Sequence, residues 1–473
     1  NNQFNIKLSI QAIFEEPTID ALSLKISQLI RKQAFSQPQK IEVISRDGDL
    51  ALSFTQQRLW FLYQFDPQNI AYNMPVAVEI EGCLNVDVLE KSIETIIQRH
   101  EALRTNFISK DGQASLIIHS QREFAIERIE FNENASYTDQ LVSRIIKDRV
   151  KIPFNLEKDC LIRASLVFLN QNRHVLVLNF HHIITDGWSM GIFVKELAHC
   201  YNALLQNNPI DLPELKIQFA DYCHWQQQFL DSKEYQKQLG YWKTKLDQAP
   251  PLLTLPTDHP RPDVQTYHGA HYHFVIEENV KHQFNQFCQQ QGTTLFMGLF
   301  TVYAALLSRY SKQTDILIGT VVAGRHHVDI EPLIGCFINN LILRADISHR
   351  PTFNELLQRT KTLVFDAFAH QDISADVIMD KVATDRNLSY SALAQVGFAL
   401  LNTPFENHQL PGLKFNSIEV ESGTAKFDLT LNITEYENHF DAILEYNTDL
   451  FESSTAEQFS QHFQYLLNSI LKN

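Results

Sequence analysis

The sequence predicts an α/β protein built as two lobes. Three observations carry that expectation. Helical and strand periodicities alternate through both halves of a 473-residue chain, which is longer than one hydrophobic core usually serves. A proline-rich connection, APPLLTLPTDHPRP at 249–262, lies near the middle. Hydrophobic residues make up 44% of the chain and include 32 phenylalanines, enough for more than one aromatic core.

Taken in order, residues 1–32 read as a short helical unit. In EEPTIDALSLKISQLIRK, Pro17 opens the helix behind two acidic residues and basic residues close it, as the helix dipole favours. Ile19, Leu22, Ile26, Leu29 and Ile30 recur at helical spacing. So short a piece cannot bury a core alone, so it is the end of another domain or a helix docked on the main body. Residues 33–50 are polar, contain Pro38 and Gly48, and read as a linker.

Residues 51–222 form the first expected lobe. LSFTQQRLWFLYQF mixes helical spacing with aromatics, and VAVEIEG at 76–82 alternates with period two, as a strand does. VDVLEKSIETIIQRHEALRT is an amphipathic helix with Val88, Leu89, Ile93, Ile96 and Ile97 on one side. HVLVLNFHH at 174–182 is nearly continuous in apolar residues, which places it centrally in a sheet. A helix, WSMGIFVKELAHCYNALLQ, follows. Residues 223–473 form the second lobe, with the boundary in the helical region between 223 and 260. Its elements are a helix in TTLFMGLFTVYAALLSRYS, strands in DILIGTVV and FINNLILRADI, a helix in FNELLQRTKTLVFDAFAHQD, strand-like stretches at 395–402 and 427–447, and a final helix over 455–471. No short repeat is visible.

Charge narrows the function. A formal net charge of −15 argues against binding nucleic acid or an anionic membrane surface. The six cysteines are scattered without metal-ligand spacing, and read as reduced buried thiols in a cytoplasmic protein. There is no signal peptide and no apolar stretch near the roughly 20 residues a membrane helix needs. The chain begins at Asn1, which reads as a piece of something larger.

The chemistry concentrates in NFHHIITDGWSM at 179–190. Adjacent side chains on a strand point to opposite faces, so His181 and His182 do not serve one site together without a kink. His182 is better placed for chemistry because the chain begins to turn away there. Asp186 has three readings: a helix cap, the partner of a distant arginine, or a catalytic acid. A metal site would lack a third His or Cys nearby, so none is expected. A second pair, His326 and His327 with Asp329, reads as a polar solvated loop.

With those residues in view, the chain resembles the condensation domains of nonribosomal peptide synthetases. HHIITDGWS resembles the family's HHxxxDG signature, and the other motifs follow in order over 52–450: LSFTQQRLWFL, RHEALRTNF, FADYCHWQ, IGTVVAGR, IGCFINNLILR, HQD at 370–372 and KFDLTLNI. The HQD motif departs from the pattern, because Ser374 and Ala375 replace the usual Pro-Phe. Residues 1–32 resemble the last part of a peptidyl carrier domain, without its modifiable serine.

The resemblance implies two chloramphenicol-acetyltransferase-like lobes in a V-shaped pseudo-dimer. It implies that a donor aminoacyl or peptidyl thioester on an upstream carrier meets the α-amine of an aminoacyl thioester on a downstream carrier, beside a neighbouring adenylation domain in a multidomain megasynthase. Both substrates ride on 4'-phosphopantetheine arms of the carriers; no cofactor or metal of the domain's own is implied. His182 is assigned to orient the amine and accept its proton, with two roles left open, a true general base or mainly a positioning group. Oxyanion donors are the Gly187 N–H and Ser189, with plain turn geometry as the rival reading for Gly187. Asp186 is read as structural, paired with Arg325 or, second, Arg104. His181 is read as a packed strand residue. Trp188, Asn339 and Asn340 are candidates to line the substrate channel, a sheet-edge role being the rival for the asparagines. His at 181, where heterocyclising relatives carry Asp, disfavours cyclisation. The short linker after the carrier-like piece points to an L-configured or achiral donor. Two alternatives stay open: a non-catalytic recruitment domain of the same fold, and an acyltransferase using free coenzyme A.

Overall fold

The computed structural model describes residues 19, 23, 40–130, 139–325, 327–382, 387–392, 394–401, 410, 412–420 and 423–472. The carrier-like piece at 1–32 therefore lies outside the described residues except for Ile19 and Ser23, as do residues 33–39 of the linker and His326.

Two sheets organise the chain. The first has five strands: β1 (Asn73–Gly82), β4 (Ile126–Glu130), β5 (Ile162–Asn170), β6 (Arg173–His181) and β11 (Leu413–Ile418), in the order β11-β1-β6-β5-β4. The second has six: β7 (Gly269–Ile276), β8 (Asp315–Val322), β9 (Asn339–Asp346), β10 (Val396–Leu401), β12 (Leu429–Glu435) and β13 (Phe440–Asn447), in the order β7-β13-β12-β10-β8-β9. A separate hairpin joins β2 (Thr105–Lys110) to β3 (Gln113–Ile118). β6 is the middle strand of its sheet, as its continuous apolar run requires.

The helices cover these sheets. α1 (Phe54–Phe65) starts from a reciprocal cap: Ser53 Oγ accepts from Gln56 N at 3.1 Å, and Gln56 Oε1 accepts from Ser53 N at 3.1 Å. Gln56 Nε2 then donates to the Ile183 carbonyl at 3.1 Å, tying this helix to the loop after β6. α2 (Val86–Arg99) buries Leu89, Ile93, Ile96 and Ile97, the stripe its periodicity predicts. Arg99 and His100 at its end both contact Glu196, at 3.1 and 2.9 Å. Glu196 belongs to α4 (Gly187–Leu205), so RHEALRT holds two helices of the first lobe together. α3 (Asp139–Val150) covers the other face of the sheet with Val142, Ile146 and Val150. In the second lobe α8 (Leu295–Ser311) and α9 (Phe353–Ala369) run through the core, and α11 (Ser453–Lys472) packs Phe459, Phe463 and Leu467 against it. α7 (Glu278–Gln290) and α10 (Ala375–Val382) complete that layer. Among the described residues no single helix is long and apolar enough to cross a membrane.

The expected division after residue 222 falls inside α5 (Phe219–Phe229), whose start packs in the first core and whose end packs in the second. α6 (Lys233–Lys245) begins after a break capped by Ser232. Chain order and lobe membership also part at two later places. Ile330, Leu333, Ile334 and Phe337 belong to the first core. β11 pairs with β1 in the first sheet, with Ala77 opposite Ile418. The first excursion buries apolar side chains in the first core, whereas β11 adds a largely exposed edge strand that buries only Leu413. Of the six free cysteines, four are buried as expected, but Cys83 is exposed and Cys160 half-buried.

Candidate functional site

β6 delivers the two histidines in opposite surroundings. His181 N donates to the Leu161 carbonyl at 3.0 Å and His182 N to the Tyr72 carbonyl at 2.9 Å, so strand neighbours on both sides fix the backbone. The His181 ring is buried edge-on against Phe154, with centroids 6.0 Å apart. Its Nδ1 accepts from Ile183 N at 3.1 Å, which places the proton on Nε2. Burial, then the neighbouring His182 and Lys426, push its pKa down to about 3. It is the packed, neutral residue expected.

His182 has the opposite tautomer. Its Nδ1 lies 2.8 Å from the Thr185 carbonyl, which can only accept, so Nδ1 donates and Nε2 carries the free lone pair. The ring lines a cavity of about 330 Å³ that opens to solvent. Both lobes supply its walls: Thr55 and Arg58 from α1, Tyr72, Asn340 from β9, Asn432 from β12 and Glu445 from β13. Enclosure, then the cationic Lys426, lower the His182 pKa to about 4, against the opposing effects of the Thr185 carbonyl and Asp186. The ring is neutral near pH 7 and presents a lone pair to the cavity.

Asp186 is fully committed elsewhere. It caps α4: Oδ1 accepts from Ser189 N at 2.8 Å. The same oxygen lies 3.3 Å from Arg325 Nη2, and Oδ2 accepts from Phe337 N at 2.9 Å. Arg325 is buried to 2% side-chain exposure. Its Nη1 donates to the Ile330 and Leu333 carbonyls at 2.7 and 2.8 Å, and its guanidinium lies 4.1 Å from the Phe337 ring centre. The structural reading of Asp186 with Arg325 matches this geometry. Arg104 does not reach Asp186. It sits in the turn after α2, where it hydrogen-bonds the His119 carbonyl and lies 3.9 Å from Glu101.

Ser189 is a correction. It is fully buried, and its hydroxyl donates to the Gly335 carbonyl at 2.9 Å while accepting from Arg325 Nη2 at 2.7 Å and Gly335 N at 3.1 Å. Its own N–H is used by the Asp186 cap, so nothing remains to receive an oxyanion. The Ser189 side chain faces the partner loop, not the cavity. Two glycines let that loop approach. A Cβ on Gly335 would stand 2.1 Å from the Phe219 ring, and one on Gly324, at φ +65°, would stand 2.1 Å from the Phe337 carbonyl oxygen.

Gly187 differs from both. It is exposed, its φ is not positive, and a Cβ there would meet nothing within 4 Å. Turn geometry therefore does not require glycine at this position. Trp188 is 43% exposed, donates to the Glu331 carbonyl at 3.2 Å and faces Arg325, away from the residues that line the His182 cavity. Asn340 lines that cavity, whereas Asn339 donates to the Gln371 and Ile373 carbonyls at 2.7 and 2.9 Å and tethers the following loop. In that loop Ser374, one of the two residues departing from the family pattern, caps α10 by accepting from Val377 N at 3.3 Å.

Sequence reasoning missed Lys426. It lines the cavity beside His182, lies 5.1 Å from the Tyr72 ring centre, and has a pKa lowered by enclosure. Its signal was a lone cation opening the apolar strand KFDLTLNI. A second cavity, about 390 Å³ on the first sheet, holds none of the motif residues. Its charges satisfy each other, Arg149 with Glu127 at 2.6 Å and Arg163 with Asp159 at 2.7 Å.

Comparison with known proteins identifies the family and agrees with this fold. A family model described as "Condensation domain" matches residues 46–473. A linear gramicidin synthase protein of Brevibacillus parabrevis is 40% identical over 473 residues, covering 99% of this chain and 9% of that protein. The chain thus spans about a tenth of that curated relative. Among solved structures, the X-domain from teicoplanin biosynthesis aligns over 92% of this chain and 98% of its own with TM-score 0.84 and 25% identity. A four-domain nonribosomal peptide synthetase bound to AMP and glycine shares the fold, with TM-score 0.81 and 24% identity over 94% of this chain and 34% of its own.

Proposed function

The chain belongs to the condensation domain family, and on that premise we propose that the cavity around His182 joins a carrier-bound donor acyl thioester to the α-amine of a carrier-bound acceptor. The observation that carries this reading is the His182 ring, which lines a solvent-connected cavity at the junction of the lobes with Nε2 left for a substrate.

The amine nitrogen attacks the thioester carbonyl carbon, a tetrahedral intermediate forms, and the C–S bond breaks to release the donor carrier's thiolate. The proton lost by nitrogen passes to His182 Nε2 and from there to that thiolate. The depressed basicity of His182 defines its share of the work. An α-ammonium has a pKa of about 8, and the imidazole's is about 4. Stripping a proton from the resting ammonium would therefore be uphill by about 5 kcal/mol. His182 instead receives a neutral amine as hydrogen-bond acceptor and takes the proton once attack has made the nitrogen acidic. The Gly187 N–H is the proposed oxyanion donor, and the room above its Cα is space for substrate rather than side chain. Asp186, Ser189 and Arg325 hold the loop. The donor and acceptor arrive on phosphopantetheine arms of upstream and downstream carriers within a synthase that also holds an adenylation domain. The L-configured or achiral donor is inferred from the short linker after the carrier-like piece.

The test supplies the chain with a loaded donor carrier and a loaded acceptor carrier and follows dipeptide on the acceptor. The expected result is product that depends on both carriers and on His182. Activity with free acyl-coenzyme A in place of the donor carrier, or equal product with His182→Ala, overturns the reading in favour of the stand-alone acyltransferase or the recruitment domain.

A further inference from the structure

The segment YHGAHYH at 267–273 is rich in histidine, and His271 and His273 do not line the His182 cavity. His271 and His273 are two apart on β7, so both rings lie on one face of the strand. β7 is an edge strand of the six-stranded sheet. On the neighbouring β13, Glu445 stands directly opposite His271, with its carboxylate 3.7 Å from His271 Nε2. The remaining member comes from the other sheet. Glu419 follows β11, the edge strand of the five-stranded sheet, and its carboxylate contacts His273 Nε2. One ligand atom from each of His271, His273 and Glu419 lies within 4.8 Å of the other two.

We propose that His271, His273 and Glu419 form a binding site for a divalent transition-metal ion of the zinc class, which clamps the edge of one sheet to the edge of the other. Two imidazoles and one carboxylate are a donor set that such ions take, with water in the fourth position. Ligand atoms around tetrahedral zinc stand about 3.4 Å apart, given metal–ligand bonds of about 2.1 Å. Small side-chain rotations close the cluster to that spacing, because His273 and Glu419 are partly solvent-exposed and the strand fixes only their backbones. The same exposure gives an ion a way in. Glu445 contributes a second negative charge beside His271 without being required as a ligand. The site ties together the segments on either side of Lys426: Glu419 precedes it, and the Lys426 backbone N–H is held by Glu445 at 3.2 Å.

The experiment titrates the chelator-treated chain with zinc chloride in a calorimeter and repeats the titration with cobalt(II), whose visible spectrum reports tetrahedral coordination. The expected result is one saturable site per chain. His271→Ala and His273→Ala each weaken it at least tenfold, and Glu419→Gln weakens it less. His327→Ala removes a different histidine–aspartate pair, 3.7 Å apart, and leaves the binding unchanged. Zinc raises the melting temperature of the wild type but not of the two β7 variants, whose circular dichroism matches wild type. Absence of saturable binding overturns the proposal, as does binding that both β7 variants retain.

Discussion

The two ends of HHIITDG live under opposite rules. His182 engages the Thr185 carbonyl through Nδ1, with the Cys336 thiol 3.8 Å from the same nitrogen, and turns toward a cavity. Asp186, four residues on, has both oxygens engaged by Ser189, Arg325 and Phe337 in a fully enclosed pocket. The difference teaches what the motif encodes. One end is left unsatisfied for a substrate, and the other is oversupplied with bonds so that the first stays in place. A short stretch of sequence carries both duties and does not label them.

The largest expected effect falls on the open end. His182→Ala should lower the rate of dipeptide formation by about 10²–10⁴-fold, the usual worth of a positioned acid–base group, while the urea midpoint barely moves. A matching loss of stability would erase the contrast between the two ends. At the closed end, Asp186→Ala strands the Arg325 guanidinium in an enclosed pocket, and chemical denaturation should show a loss of about 3–5 kcal/mol. A double-mutant cycle with Arg325→Ala separates the pair's coupling from each residue's packing.

Acid should sharpen the comparison next. His181 in the unfolded chain takes a proton near its ordinary 6.5, whereas the folded protein resists until about 3. Between those values the unfolded state binds more protons, so stability rises with pH and is lost as pH falls from 6.5 toward 3. His181→Asn, whose amide oxygen can still accept from Ile183 N–H, should flatten the stability–pH slope by up to about 1.4 kcal/mol per pH unit.

Ser189→Ala should cost about 1–3 kcal/mol of stability through the bonds left unmade, with the rate changed only as far as the loop shifts. A drop of about 10²–10³ in rate at unchanged stability would return Ser189 to the oxyanion site. Smallest of all, Arg104→Ala should leave dipeptide formation intact, because its guanidinium serves the His119 carbonyl and not Asp186.

Much of this was legible in the residues. Period two gives β1, a continuous apolar run gives β6, and period 3.6 gives α2, because each pattern records which faces of an element are buried. Opposite pointing of neighbours on a strand separates His181 from His182 before any coordinates. That Asp186 takes a cationic partner follows from the rule that a buried carboxylate needs a counter-charge, while the preference for Arg325 over Arg104 comes with the motif resemblance. Tertiary structure decided the rest. That Ser189 is consumed by Gly335 depends on a loop almost 150 residues away, and no local pattern reports such a contact. That β11 crosses into the first sheet, and that Lys426 stands beside His182, depend on how the second half of the chain wraps back over the first. Sequence periodicity records which face of an element is buried; which distant element covers it is fixed only when the whole chain competes for the same apolar surface.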